Sequence, residues 1–381
     1  MFTSRKTDSP KQLIEYVWLG GSAWDLRGKT RVLSKPVEKL EDISEWNFDG
    51  SSTELATTEN SEIVLKPVRM INDPFRGQPH KIVLCDTYFP DGRPTSSNFR
   101  ELASRIYKDS VVDQADIWFG VEQEYILCKE ETSGVISKKS HYVPAAWTEF
   151  PKKPQGDYYC GVGSGKALYR NVPEEHLQAC LKAGLDIAGI NAEVFPGQWE
   201  YQLGICKGLD TADQLWLSRY LLYRVCESHG LIPVFDPKPV EGDWNGSGCH
   251  VNISTKATRD ANSDRLGPIK KYMELMSASH TKDIECYGEN NALRLTGKHE
   301  TSSLEKFSWG VGSRGASVRI PFSTEKNLTS YFEDRRPAAN MDPYLVCAKI
   351  ADTLYLSSKN SEVFSKTIEE YKKARAALVQ H

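Results

Sequence analysis

No long apolar run occurs in this 381-residue sequence. A bilayer-crossing helix needs roughly 20 such residues, so no membrane span is expected. Excess charge of either sign is also missing: 48 basic against 51 acidic side chains leave a formal net charge of −3. The nearest basic runs, Lys152-Lys153 and Lys372-Lys373, read as solvated loop and helix surface, and no nucleic-acid partner is expected. The start, MFTSRKTDSPKQ, has no apolar core behind its charges, which argues against a secretory signal. Nine cysteines are scattered without a CxxC pair or a Cys/His metal spacing, so free thiols in a reducing, cytoplasmic setting are expected. Asn245-Gly-Ser247, Asn252-Ile-Ser254 and Asn327-Leu-Thr329 match a glycosylation sequon, but without a secretory route the match has no consequence. Repeats and low-complexity tracts are absent. A working phosphate loop is absent too. CGVGSGKAL (Cys160–Leu168) has cysteine where the first Walker glycine belongs, alanine after Lys166, and no third glycine for a dinucleotide fingerprint, so it reads as a glycine-rich turn.

What is present is ordinary globular composition, 39% hydrophobic and 26% charged, in a chain long enough for two domains or one large domain with an appendage. The first part is strand-rich. Ile14–Gly21, Lys29–Val37 and Lys81–Phe89 are expected strands, with turns at Trp24–Gly28 and Pro90-Asp91-Gly92. This suggests a β-rich domain over 11–95 and a larger one over 96–381. In the larger part Pro173 opens a helix with an expected apolar stripe at Leu177, Leu181 and Leu185. Further helices are expected over Asp210–His229, over Ile269–Tyr287 and from Pro343 to near the end. The strands between them lack one helix per strand, which favours an antiparallel α+β design.

The chemistry lies in those strands. WFGVEQEYIL alternates with period two: Trp118, Gly120, Glu122, Glu124 and Ile126 share one face, and Phe119, Val121, Gln123, Tyr125 and Leu127 the other. Two neighbouring carboxylates repel unless a cation lies between them. Alone, such a face is an ordinary solvated one. It recurs in NAEVFPGQWEYQLG, two strands about Pro196-Gly197, where Glu193 and Glu200 hold the polar faces. In GSGCHVNIST, His250, Asn252 and Ser254 share a face. Four carboxylates and an imidazole suit Mg²⁺ or Mn²⁺, cations used where phosphate oxygens are held. RLTG, SRGASVRIP and FEDRRP add arginines that bind phosphate or carboxylate in two-point fashion, and Arg319 faces away from its apolar neighbours Val318 and Ile320. The residues by themselves reach a Mg²⁺-type phosphoryl-transfer site.

Eight segments in order, WNFDGSS, WFGVEQEY, PQGDYYCGVG, NAEVFPGQWE, DPKPVEGDWNGSGCH, RLTGKHET, RGASVRIP and YFEDRRPAAN, resemble the eukaryotic-type (type II) glutamine synthetases from about Tyr16 to beyond Tyr344. The resemblance implies an N-terminal β-grasp domain and a catalytic domain with an antiparallel open barrel flanked by helices. It also implies a homo-oligomeric double ring with active sites shared between subunits. The substrates would be ATP, L-glutamate and ammonium, with Mg²⁺ or Mn²⁺ as cofactor. Glu122, Glu193 and Glu200 would hold one metal; Glu124, His250 and Glu333 would hold a second beside the ATP phosphates. Trp118 would lie near adenine, with Asn252, Ser254, Arg314, Arg319 and Glu200 also in the ATP site. Asn245, Gly246, Arg294 and Arg335 would engage glutamate, Arg335 and Arg319 acting also on the transferring phosphate. Asp49 would reach a neighbouring subunit's site and take a proton from ammonium. Glu300, on a flap, would cover the intermediate and accept a second proton.

The chain departs from the family pattern at Asp157, Phe195, Ile205, Ser247, Trp309 and Ser313, none of them an expected metal ligand. Two other readings follow from the same motifs. One is a ligase joining glutamate to a different amine, such as a polyamine. The other is a catalytically silent structural relative, which should have lost metal or base residues.

Overall fold

The computed structural model describes residues 11–130, 142–149, 155–260, 266–327 and 329–378. The opening residues, Lys152-Lys153, Pro154 and Leu328 of the third sequon lie outside them. The chain divides into two compact units: one runs to Asn98 and includes Lys182–Leu185 and residues from Glu370 onward, and the other holds the remainder.

The first unit is a five-stranded sheet in the order β2-β1-β5-β4-β3, where β1 is Gln12–Leu19, β2 Leu26–Leu33, β3 Trp46–Asp49, β4 Glu62–Asn72 and β5 Lys81–Tyr88. The central pair β1 and β5 is parallel and the others are antiparallel. Ile14, Tyr16 and Trp18 alternate along β1 into one core with Leu65, Val83 and Cys85. The turn expected at Trp24–Gly28 lies earlier: the Gly20 amide donates to Asp25 O at 2.8 Å, and Leu26–Gly28 already pair in β2. Strand β4 escapes sequence reading because Pro67 interrupts it. The structure seats that proline at a register shift, where the ladder lacks a bond anyway.

In the second unit the strands are β6 (Trp118–Glu130), β7 (Tyr142–Pro144), β8 (Ile187–Ala192), β9 (Gln198–Lys207), β10 (Ile232–Val234), β11 (Cys249–Ser254), β12 (Trp309–Val311), β13 (Val318–Ile320) and β14 (Phe332–Asp334). Their order is β12-β13-β14-β11-β6-β9-β8, with β7 and β10 also paired to β6. All pairs are antiparallel except β12 with β13. The apolar face of β6 (Phe119, Val121, Tyr125, Leu127) is fully buried, with helix Gly208–Ser228 packed against the strand and helix Pro343–Tyr355 packed in turn on that helix. Gln123 shares that face because buried Arg219 donates to its Oε1 at 2.6 and 2.9 Å.

Two helix expectations change. Helix Asn171–Ala183 buries Val172, His176, Ala179, Cys180 and Ala183; of the expected stripe, Leu177 is half-buried, Leu181 is 49% exposed, and Leu185 is buried just beyond the helix end. His176 lies edge-on to Tyr201 of β9 at 4.8 Å, and the small residues Ala179, Cys180 and Ala183 share its buried face. The C-terminal helix is two helices, Pro343–Tyr355 and Ser361–Leu378. Left-handed Ser357 and Ser358 break it.

Candidate active site

Strand pairing assembles the acidic cluster. Antiparallel β6 and β9 set Glu124 opposite Glu200, β6 and β11 set Glu122 opposite His250, and β11 and β14 set Asn252 opposite Glu333. Glu193 follows β8 directly, its amide donating to Gln198 O at 2.9 Å across the Pro196-Gly197 turn. Two triads result, Glu122–His250–Glu333 and Glu124–Glu193–Glu200, each offering ligand atoms within 4.8 Å of one another. The grouping implied by the resemblance is thus exchanged at one pair: Glu122 belongs with His250, and Glu124 with Glu193 and Glu200. The reason is register, since each β6 carboxylate faces the residue directly across from it.

The electrostatics call for cations. Burial, reinforced by Glu124, raises the Glu193 carboxyl to about 8. Burial and then Glu122, Glu124 and Glu193 push Glu200 well above the usual range. Glu124 is also raised by burial, with Arg294 opposing. His250 is held well below its ordinary value, first by burial and then by Arg335. Its Nδ1 makes no hydrogen bond among the described residues, yet lies 3.5 Å from Glu122 Oε2 and 3.4 Å from Glu333 Oε1. A neutral imidazole nitrogen aimed between two carboxylates, beside three acids that cannot all ionise unaided, fits two hard divalent cations.

These residues line a polar cavity of about 140 Å³ together with Asn245, Gly246, Arg294, Glu300, Arg314, Arg319 and Arg335. Glu333 accepts from Arg335 Nη1 at 2.6 Å and from Arg319 Nη1 at 3.3 Å. Arg294 is buried; its Nη2 lies 3.0 Å from His250 Nε2 and donates to Arg335 O at 3.0 Å. Gly246 must be glycine, because a Cβ would stand 2.2 Å from Pro237 O. Glu300 pairs with Arg314 at 2.8 Å. Both His299 and Glu300 adopt left-handed backbone, φ +52° and +61°, a conformation costing roughly 1–2 kcal/mol per residue.

A second, more apolar cavity of about 450 Å³ contains Trp118, Asn252 and Ser254, and meets the first at Glu122, which lines both. Asp49 belongs to the first unit. There it caps a short helical turn, accepting from Ser51 Oγ at 2.7 Å and Ser52 Oγ at 2.6 Å, which lowers its carboxyl to about 2.

Three cavity residues, Gln198, Arg259 and His299, and one that supports the polar cavity from behind, Gln155, were not among the expected site residues. Gln155 bonds Asn245 twice, accepting from its amide at 2.8 Å and donating to its Oδ1 at 2.9 Å. Gln198 donates to Glu124, Gly246 O and Ser247 Oγ, and shares the Glu200 face of β9, a period-two signal that could have flagged it. Arg259 lies over the Trp118 ring at 3.8 Å. His299 reaches Asp243 at 2.8 Å. Loop residues such as Gln155 and His299 carry no periodicity to give them away. The departures Ser247 and Phe195 are both buried, the latter against Trp147 and Trp244; Ile205 is 69% exposed at the apolar cavity.

Paired acidic triads edged by arginines, beside a larger and more apolar cavity, fit a divalent-metal enzyme of phosphoryl transfer. Comparison narrows the class. Residues 97–354 match the family model for the glutamine synthetase catalytic domain, and 13–90 that for the glutamine synthetase beta-grasp domain. The chain is 46% identical over 348 residues to a cytosolic glutamine synthetase isozyme of Pinus sylvestris, covering 91% of this chain and 94% of the relative. It is 47% identical to cytosolic isozyme 1-3 of Arabidopsis thaliana, over 92% and 96%. It is likewise 47% identical to a chloroplastic glutamine synthetase of Brassica napus, over 90% and 78%. The chain belongs to the glutamine synthetase family, ATP- and divalent-metal-dependent ligases that form a C–N bond between glutamate and ammonia.

Proposed function

We propose that the polar cavity makes L-glutamine from L-glutamate, ammonium and ATP through γ-glutamyl phosphate. The observation that carries this reading is the pair of triads joined to the apolar cavity at Glu122. Trp118, with Asn252 and Ser254, receives the adenosine end, leaving the phosphates to run toward Glu122, His250 and Glu333. Mg²⁺ or Mn²⁺ held by the triads would neutralise phosphate charge and polarise the γ-phosphoryl group. Arg319 and Arg335, both on Glu333, are positioned for the transferring phosphate, with Arg314 behind Glu300. Arg294, Asn245 and Gly246 wall the side where glutamate would lie.

A carboxylate is a poor acylating agent, so phosphorylation of the γ-carboxylate must precede attack by the amine. Only unprotonated ammonia can attack, which requires an acceptor for the ammonium proton. Asp49, its carboxyl held low by Ser52 and Ser51, stays ionised to hold the ammonium cation and take its first proton. Glu300, lining the cavity, accepts the second, and its segment can exclude water from the acyl phosphate. In this reading Asp49 serves the cavity of a neighbouring subunit in a homo-oligomeric ring, the functional division is 11–95 and 96–381, and the setting is the cytosol.

Purified protein supplied with ATP, glutamate and Mg²⁺ should release phosphate and form glutamine in equal amounts only when ammonium is added. If ammonium gave no glutamine while a polyamine drove phosphate release, the reading would be replaced by an amine ligase of the same family. No turnover with any amine would favour a silent relative.

A further inference from the structure

The segment that carries Glu300 is strained, and two consecutive residues tether it to separate loops, Glu300 to Arg314 and His299 to Asp243 and Gln155. His299 and Glu300 are consecutive non-glycine residues in left-handed backbone, which persists only where the surroundings over-determine it. On one side Glu300 meets Arg314 at 2.8 Å. On the other, His299 Nε2 lies 2.8 Å from Asp243 Oδ1, and its Nδ1 lies 3.5 Å from Gln155 Nε2. A neutral ring with its proton on Nε2 satisfies both neighbours at once, donating to Asp243 and accepting from Gln155. Gln155 in turn clasps Asn245 through two hydrogen bonds. The chain of contacts therefore runs from the Glu300 segment into the loop that forms the glutamate side of the cavity.

We propose that His299, held by Asp243 and Gln155, is a positioning residue that latches the Glu300 segment to the Asn245 loop, so that the cover closes over the acyl phosphate only when that loop is in place. This rests on the reading of the cavity as the site of glutamine formation. The side reaction it suppresses is defined chemically. A water oxygen attacks the γ-carbonyl carbon of the acyl phosphate, the bond from that carbon to the phosphate oxygen breaks, and phosphate leaves with the electron pair. One of the water's protons goes to the departing phosphate and the other to solvent, and glutamate is regenerated. Each such event releases phosphate without glutamine.

The test measures phosphate and glutamine separately in the full-length protein with Mg²⁺, ATP, glutamate and ammonium. His299→Ala should lower kcat for glutamine about ten-fold and raise phosphate per glutamine from one to several, with KM for ATP unchanged. His299→Gln, which can both donate to Asp243 and accept from Gln155, should restore most of the ratio. Asp243→Ala, at an exposed position, should give part of the effect, and the double variant should be no worse than His299→Ala alone. A ratio that stays at one in both single variants, or no recovery in His299→Gln, overturns the proposal. If His299→Ala does not fold, Asp243→Ala carries the same comparison. Amide hydrogen exchange at Gly297–Thr301 reads the latch without turnover: it should quicken in Asp243→Ala, and unchanged exchange also overturns the latch. A parent protein that makes no glutamine but shows this exchange response would refute the functional reading while leaving the latch standing.

Discussion

At the scale of single residues, the acids of the cavity are tuned by burial against one another. Glu193 titrates near 4.5 when exposed and near 8 in the fold, so the native state binds a proton more tightly than the unfolded chain does. Its contribution to the stability of the metal-free protein is fully present below about 4.5 and is lost as pH rises through about 8. A divalent cation needs the ionised form and reverses that loss by displacing the proton. Addition of Mg²⁺ or Mn²⁺ should therefore raise Tm more at pH 8 than at pH 6, with proton release on binding. Thermal melts with and without metal, and calorimetry in buffers of different ionisation enthalpy, check this. A metal-induced rise independent of pH would show that Glu193 is not displaced from its proton by the ion.

At the scale of elements, register decides which acid joins which triad. Glu122 and Glu124 lie two residues apart on one face of β6, yet β11 claims the first and β9 the second. Glu122→Gln, His250→Asn and Glu333→Gln should each remove the same one of two bound Mn²⁺ ions. Glu124→Gln, Glu193→Gln and Glu200→Gln should remove the other. Mn²⁺ titration followed by electron paramagnetic resonance distinguishes the sets. If Glu122→Gln grouped with Glu193→Gln, the triads would be wrong. Strand β14 shows the same logic on both faces. Glu333 and Arg335 enter the cavity, while Asp334 and Arg336 pair at 2.8 Å in a fully buried network with Asp283 behind it. Breaking such a buried pair on one side typically costs about 3–5 kcal/mol.

At the scale of the whole molecule, Asp49 provides the proposal that sites are shared between subunits. Protein carrying Asp49→Asn and protein carrying Glu333→Gln should each be inactive. If the two are mixed under conditions that exchange subunits, some sites then combine an intact Asp49 with an intact Glu333, and activity should return to roughly a quarter of the parent. No recovery after proven exchange would place each Asp49 at its own chain's cavity. Sedimentation measures the assembly size directly. Among the described residues, no helix is long and apolar enough to cross a membrane.

What the sequence determined by itself was everything that depends on local repetition. The period-two alternation at Trp118–Leu127 declared a half-polar strand and put Glu122 and Glu124 on one face before any partner was known. The order of the eight motifs carried the family, and the comparisons bear it out. What required the tertiary structure was everything set by contacts distant in sequence. The buried face of helix Asn171–Ala183 followed the surface it packs on, which left Leu181 of the expected stripe exposed. The division of Glu122 from Glu124 followed strands more than seventy residues away. The link from His299 to Gln155 spans 144 positions. Local propensity is encoded in neighbours along the chain and can be read there. Register and loop-to-loop bonding depend on how strands pair, so the acidic residues were legible as a set while their partners were not.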